Sequence, residues 1–182
     1  MKWLRDNKVF LVFMFALLVA RSSFADHYVV PTGSMEQTLL PGDHVMVDKR
    51  AYGLRVPFTL MKMIPGDAPA RGDVIVFDAP DDGTRLIKRI VAIGGDNLEV
   101  RDGHVFINGR PADARAALEL RQGGGPDVAP THVPAGYVFA MGDFRGNSRD
   151  SRFFGFVRED QIYARAMRVY YRSGEGFVWK PL

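Results

Sequence analysis

Two stretches decide the fold class: Arg71-Gly72-Asp73-Val74-Ile75-Val76-Phe77 and Arg85-Leu86-Ile87-Lys88-Arg89-Ile90-Val91-Ala92-Ile93. Each is a short β-branched run. Pro80 and Asp81-Asp82-Gly83 close the first, and Gly94-Gly95 stops the second. Apolar runs of this length between turn residues read as buried strands. Working outward, Val45-Met46-Val47 lies in a further run over Asp43–Lys49. Asn97–Val100 and His104–Ile107 flank Asp102-Gly103, a dipeptide that favours a type I′ hairpin. Tyr137–Met141 and Ile162–Tyr171 add two more strands. Only Ala112–Gln122 has a helix-like composition, and Gly123-Gly124-Gly125-Pro126 ends it as a flexible connector. Repeats and low-complexity tracts are absent. The expected fold is mainly β: folded-over antiparallel sheets in one unit, not βαβ units.

Composition narrows the function. The 182 residues carry 24 Lys+Arg against 21 Asp+Glu, a net charge of +3, with no Cys. So small a charge, scattered among acidic residues, forms no basic stripe for nucleic acid. Thiol catalysis and Cys-based zinc sites are excluded. HExxH and GxxxxGK patterns do not occur, so neither a metal nor a phosphate-binding cofactor is expected.

The N-terminus has Lys2, Arg5 and Lys8 ahead of the apolar run Val9–Ala20, then Arg21-Ser22-Ser23-Phe24-Ala25. Two readings fit. One is a cleaved signal peptide with a small-x-small site at Ser23-Phe24-Ala25. The other is an uncleaved anchor over residues 9–25, about 25 Å long at 1.5 Å per residue. In both, the basic residues stay in the cytoplasm and the rest of the chain is exported. Residues 50–70 are apolar but broken by Gly and Pro. They read either as an extended hairpin on the core or as a flap touching lipid. Residues 108–134, rich in Gly, Pro and Ala, read as an insertion or flap.

Three constellations can carry chemistry. Pro31-Thr32-Gly33-Ser34-Met35 places a serine in a tight turn, about nine residues beyond the anchor. In Arg85–Ile93, strand alternation puts Leu86, Lys88, Ile90 and Ala92 on one face, and Arg85, Ile87, Arg89 and Val91 on the other. An ammonium among apolar neighbours loses hydration, so its pKa falls and it can act as a neutral base. The bland alternative is an edge lysine that reaches water. Met141-Gly142-Asp143-Phe144-Arg145-Gly146-Asn147-Ser148-Arg149-Asp150-Ser151-Arg152 is dense in charge yet follows an apolar strand. It reads as a buried polar network or as a solvated loop. The four histidines, His27, His44, His104 and His132, give a Ser-His-Asp triad no support.

Together these boxes resemble the bacterial type I signal peptidases, leader peptidases of the Ser/Lys class. Pro31–Met35 with Thr38-Leu39 and Gly42-Asp43 is similar to the nucleophile box. Arg71–Phe77 is similar to the core strand box, Ile87–Val91 with Gly95-Asp96 to the lysine box, and Gly142–Arg152 to the last box. Tyr52-Gly53-Leu54-Arg55-Val56-Pro57 also resembles the family. The resemblance spans about residues 15–170 and implies a fold of folded-over antiparallel sheets behind one N-terminal transmembrane helix.

The resemblance implies roles residue by residue. Ser34 is the nucleophile and Lys88 the general base. Thr32 and the Ser34 N–H form the oxyanion hole. Ser148 orients the Lys88 ammonium. Asp143 with Arg89, and Asp150 with Arg152, are supporting ion pairs. Val30, Pro31, Met35, Leu39, Leu86 and Ile87 line shallow substrate pockets. Removal of signal peptides after small-x-small (Ala-x-Ala) sites is implied, with no metal and no cofactor. The partners implied are preprotein signal peptides and the phospholipid bilayer, with the secretion translocon as a candidate; nucleic acid is not among them. The resemblance also favours the anchor over the cleaved peptide. Residues 1–8 are then cytoplasmic, 9–25 span the inner membrane once, and 26–182 form a periplasmic or extracytoplasmic catalytic domain. Self-cleavage after Ala25 stays open.

The chain departs from the family pattern at Gln37, where Pro is usual, and at Phe144, where Asn is usual. Both put pocket shape and substrate preference in doubt. They leave room for a dedicated processing peptidase serving one pilus or conjugation substrate. A self-cleaving repressor-type Ser/Lys protein conflicts with the export segment. A non-catalytic anchored β-rich binding module would tolerate loss of Ser34 and Lys88.

Overall fold

The computed structural model describes residues 7–14, 25–55, 62–113 and 118–182. Residues 8–14 are helical. Among the described residues no helix is long and apolar enough to cross a membrane. Most of the expected 9–25 span lies outside them, as does the tip of the 50–70 segment at 56–61.

Fourteen strands are described: β1 (Ala25–Val29), β2 (His44–Asp48), β3 (Gly53–Arg55), β4 (Lys62–Pro65), β5 (Val74–Asp78), β6 (Arg85–Ile93), β7 (Asn97–Arg101), β8 (His104–Ile107), β9 (Arg110–Pro111), β10 (Val128–His132), β11 (Tyr137–Met141), β12 (Val157–Arg158), β13 (Ile162–Arg172) and β14 (Gly176–Pro181). A large sheet runs β1-β2-β13-β5-β6-β11-β12, with β14 paired to β13. A four-stranded sheet runs β10-β7-β8-β9, and β3 pairs with β4. Every strand pair is antiparallel. The mainly β expectation is met.

Both faces of the large sheet are covered near its centre, and this explains the unbroken apolar runs. On β5, Val74 and Val76 pack with Val30, Met35, Leu39 and Ile87. The alternate residues Ile75 and Phe77 pack on the other face with Ile90, Val138 and Ile162. Burying each such side chain contributes roughly 1.5–3 kcal/mol. Further along β6, Val91 and Ala92 join Leu98, Val100, Phe139 and Met141 between the two main sheets. The β6–β11 register shifts between Phe139 and Ala140, so Val91 is an extra, bulged residue. Strict alternation on β6 therefore ends at Ile90, not at Ala92.

Asp102 and Gly103 both have positive φ, 46° and 78°, as a type I′ turn requires. The 50–70 segment contains the β3–β4 hairpin. The 108–134 segment contributes β9 and β10 to the smaller sheet, so it is in part a built element. The helix expected over 112–122 is absent from its described residues. Glu119 instead forms a parallel bridge with Phe144, because the segment exchanges backbone hydrogen bonds with the loop after β11. The glycines after it are not a flexible connector. A Cβ on Gly124 would overlap the backbone of Asp102 and Gly103, and one on Gly146 would overlap the Gln122 carbonyl. Glycine is there because two backbones meet. The β14 strand followed no sequence signal used above: its apolar residues Phe177 and Trp179 face solvent.

Candidate active site

Ser34 sits in a 3₁₀ turn, Gly33–Met35, directly after β1. The turn is held from below by Met35, which is fully buried in the first core cluster. The Glu36 carboxylate lies over Gly33, where a Cβ would otherwise stand. Thr32, just before the turn, is extended and exposed, and its side chain makes no capping bond to the turn.

Lys88 projects from the middle of β6, directly opposite Ile75 on β5. Lys88 is 3% exposed and Ser34 is 7% exposed. The ammonium Nζ lies 2.5 Å from the Ser34 Oγ, across 54 residues of sequence. Burial removes hydration from the ammonium and pushes the Lys88 pKa down to about 8. The Asp150 and Asp143 carboxylates pull it back up, and the Arg152 guanidinium pushes it down.

The loop after β11 builds the wall behind this pair, and it is a buried network, not a solvated loop. Asp143 is fully buried. It accepts from Arg89 Nε at 2.9 Å and Nη2 at 2.7 Å, and from Thr38 Oγ1 at 2.5 Å. Asp150 accepts from Arg152 Nε and Nη2, both at 2.8 Å, and from the Gly142 N–H at 3.0 Å. Ser151 Oγ accepts from the Ala140 N–H at 3.0 Å. Each buried charge thus has a partner and several hydrogen bonds, the condition for tolerating burial. The loop touches the nucleophile turn through Phe144, whose N–H donates to the Ser34 carbonyl at 3.1 Å. Gly142 admits this approach, since a Cβ there would collide with that carbonyl and with the Ser148 hydroxyl.

Ser148 is buried beside this contact, and its Oγ has no hydrogen-bond partner. Of the six residues expected to line substrate pockets, Val30, Met35, Leu39 and Ile87 are packed in the core. They present almost no open surface. Pro31 is exposed and Leu86 half-buried. Among the described residues, no histidine has Ser34 as a partner. His104 lies 3.4 Å from Asp113, His44 meets the rings of Tyr170 and Tyr171 edge-on, His132 meets Asn97 and His27 meets Asp26.

Several contributors had no individual role assigned from the sequence. Arg145 is 1% exposed and donates to the carbonyls of Gly142 and Gly103 and to Asp113. Thr38 stood in the nucleophile box without a role, yet it binds both Asp143 and Arg89. Glu119 and Arg121, in the 108–134 segment, reach the same loop; no local pattern pointed to them.

The family model described as signal peptidase, peptidase S26, matches residues 2–171. Signal peptidase I of Pseudomonas fluorescens is 34% identical, over 90% of this chain and 71% of that protein. Signal peptidase I of Pseudomonas aeruginosa is 32% identical, with the same two coverages, 90% and 71%. A probable signal peptidase I-1 of Synechocystis is 33% identical over 91% of this chain and 82% of that one. Among solved structures, a signal peptidase I of Enterococcus faecalis shares 30% identity over 62% of this chain and 97% of that chain, with a TM-score of 0.43.

Proposed function

The chain belongs to the signal peptidase family, peptidase S26, whose reaction removes signal peptides from preproteins, and from that premise we propose that it cuts them with a Ser34–Lys88 dyad. The observation that carries this reading is the 2.5 Å approach of Lys88 Nζ to Ser34 Oγ inside a buried site. A serine hydroxyl is a weak nucleophile until a base takes its proton. A neutral lysine with a pKa near pH 8 is such a base.

In the first step, neutral Lys88 accepts the Ser34 proton as Oγ bonds to the scissile carbonyl carbon. The developing oxyanion is met by the Ser34 N–H and the Thr32 hydroxyl, which stands exposed one residue before Gly33. The Lys88 ammonium then gives its proton to the leaving amine, and the C–N bond breaks. Water, deprotonated by Lys88, hydrolyses the acyl ester and returns the proton to Ser34. Ser148, whose hydroxyl is buried beside the Ser34 carbonyl without a hydrogen-bond partner, would accept from the Lys88 ammonium once Ser34 has given up its proton. Arg89–Asp143 and Arg152–Asp150 hold the loop that carries it.

Substrate recognition follows from an extended peptide paired along the strand edge beside Pro31, with Leu86 the second open apolar contact. Val30, Met35, Leu39 and Ile87 form the rigid bed beneath. A bed so close under the backbone leaves room for Ala-sized side chains, hence cleavage after Ala-x-Ala. Residues 9–25 anchor the domain at the outer face of the inner membrane, with residues 1–8 in the cytoplasm, so the site meets preproteins at the lipid surface.

The test is a cleavage assay on the full chain in detergent, using a preprotein with an Ala-x-Ala site. Wild type is expected to release the mature protein with the new N-terminus immediately after that site, read by mass spectrometry. Ser34→Ala is expected to release none. A folded wild type that leaves this preprotein intact would point to a single dedicated substrate or to a binding module.

The pH dependence has a definite sign. Only neutral Lys88 can accept the proton, so kcat/KM should rise through pH 8 and level off above it. Below the bend, each pH unit should reduce it about tenfold. A rate that stays level from about pH 6 to 10 would mean that Lys88 is not the base.

A further inference from the structure

Gln37 and Phe144 lie far apart in sequence, yet both touch one short segment. That segment, residues 118–122, runs across the loop behind the dyad. The Glu119 N–H donates to the Asp143 carbonyl at 2.9 Å, and the Arg145 N–H donates to the Glu119 carbonyl at 3.0 Å. Glu119 thus brackets Phe144 in a one-residue parallel bridge. On its other side, Phe144 donates its N–H to the Ser34 carbonyl. The chain order across the site is therefore strap, loop, nucleophile.

The side chains close the circuit. The Glu119 carboxylate accepts from Gln37 Nε2 at 2.8 Å and from the Arg121 N–H at 2.9 Å. Arg121 pairs with Glu36, and its guanidinium lies 4.5 Å over the centre of the Phe144 ring. Glu36 in turn lies against Gly33, one residue before Ser34. Gln37 holds a φ of 78°, a left-handed conformation that a non-glycine residue adopts at a cost of about 1–3 kcal/mol. The hydrogen bond that its side-chain amide donates to Glu119 offsets part of that strain.

We propose that Glu119 is a positioning residue for hydrolysis: through Gln37 and the Phe144 bridge it ties the nucleophile turn to the loop behind Lys88 and keeps Ser34 Oγ within reach of the amine. This rests on the Ser34–Lys88 reading. Glu119 does not touch the reacting atoms. It fixes, from the 108–134 segment, a distance that a displacement of about 1 Å would spoil, at a cost of up to 100-fold in rate.

The experiment compares wild type, Glu119→Ala, Glu119→Gln, Gln37→Ala and Ser34→Ala as full chains in detergent. Glu119→Ala deletes the side-chain bonds to Gln37 and Arg121 and leaves the backbone bridge. It should reduce kcat roughly 10- to 100-fold with KM within about twofold. Gln37→Ala should do the same, and the double variant should be no worse than either alone. Glu119→Gln keeps an acceptor for Gln37 and should restore most of the rate. A second readout is independent of turnover. The Lys88 titration, followed by NMR on 13C-labelled lysine, should move upward in Glu119→Ala as water enters the loosened site. Glu119→Ala with wild-type kcat and an unmoved Lys88 titration overturns the proposal. So does an equal loss in Glu119→Ala and Glu119→Gln that tracks a fall in Tm, since that marks a merely structural contact. If Ser34→Ala cleaves like wild type, the dyad reading falls and the strap falls with it. If Ser34→Ala is inert while Glu119→Ala keeps full kcat, only the strap falls.

Discussion

Lys88→Met is expected to abolish cleavage and to make the protein more stable. Loss of the base leaves Ser34 without an acceptor for its proton, so the rate should fall by about a thousandfold or more. The stability effect has the opposite sign. Burial lowers the Lys88 pKa from 10.5 to about 8, so the fold binds that proton less tightly than the unfolded chain does. The penalty is fully present below about pH 8 and fades as pH rises towards 10.5. At 1.36 kcal/mol per pH unit it is on the order of 3 kcal/mol. Methionine fills similar space without the charge, and the lost bond to Ser34 offsets about 1 kcal/mol. A net gain on the order of 2 kcal/mol is expected at about pH 6, falling to nothing near pH 10 and turning into a loss of up to about 1 kcal/mol above it. Urea unfolding at the two pH values measures it. A variant that still cleaves would show that Ser34 uses another base. A variant less stable at low pH would show that the ammonium is well solvated in the fold.

Asp143→Ala should be among the most destabilising single changes in the domain. The carboxylate is fully buried, and its partner Arg89 has a side chain only 11% exposed. Removing one member of such a pair leaves an uncompensated charge, at a cost of roughly 3–5 kcal/mol. Thr38 loses its acceptor as well. The double change Asp143→Leu with Arg89→Met removes both charges and should recover much of the loss in denaturant midpoint. If the single change costs under about 1 kcal/mol, the pair is better hydrated than its burial implies. Asp143 also raises the Lys88 pKa. Whatever activity survives in Asp143→Ala should therefore bend at a lower pH than in wild type.

Legibility in the sequence followed the range of the physical cause. The strands Val74–Asp78 and Arg85–Ile93 and the Asp102-Gly103 turn are local events, fixed by β-branched runs and by two residues that accept positive φ. The residues now found around Lys88 came from the order of four motifs, not from spacing, since 54 residues separate Ser34 from its partner. What was missed depended on distant backbone. The alternation on β6 broke at Val91 because β11 opposes it with one residue fewer. Gly123-Gly124-Gly125 reads as loose linker until the hairpin turn at Asp102 is seen lying against it. Glu119 sits in a segment of helix-like composition, and tertiary pairing with Phe144 overrode that preference. Val30, Met35, Leu39 and Ile87 entered as pocket lining through the family resemblance, and all four are packed in the core cluster beneath the nucleophile turn.

The place of β13 in the large sheet bears on how late in folding the site is completed. That strand, Ile162–Arg172, lies between β2 and β5 and joins them. Without it the sheet divides into β1-β2 on one side and β5-β6-β11-β12 on the other. The turn bearing Ser34 belongs to the first part and the strand bearing Lys88 to the second. The two parts also share a core, since Val74, Val76 and Ile87 pack against Val30, Met35 and Leu39, and β13 then locks them into one sheet. Such late, long-range closure is slow.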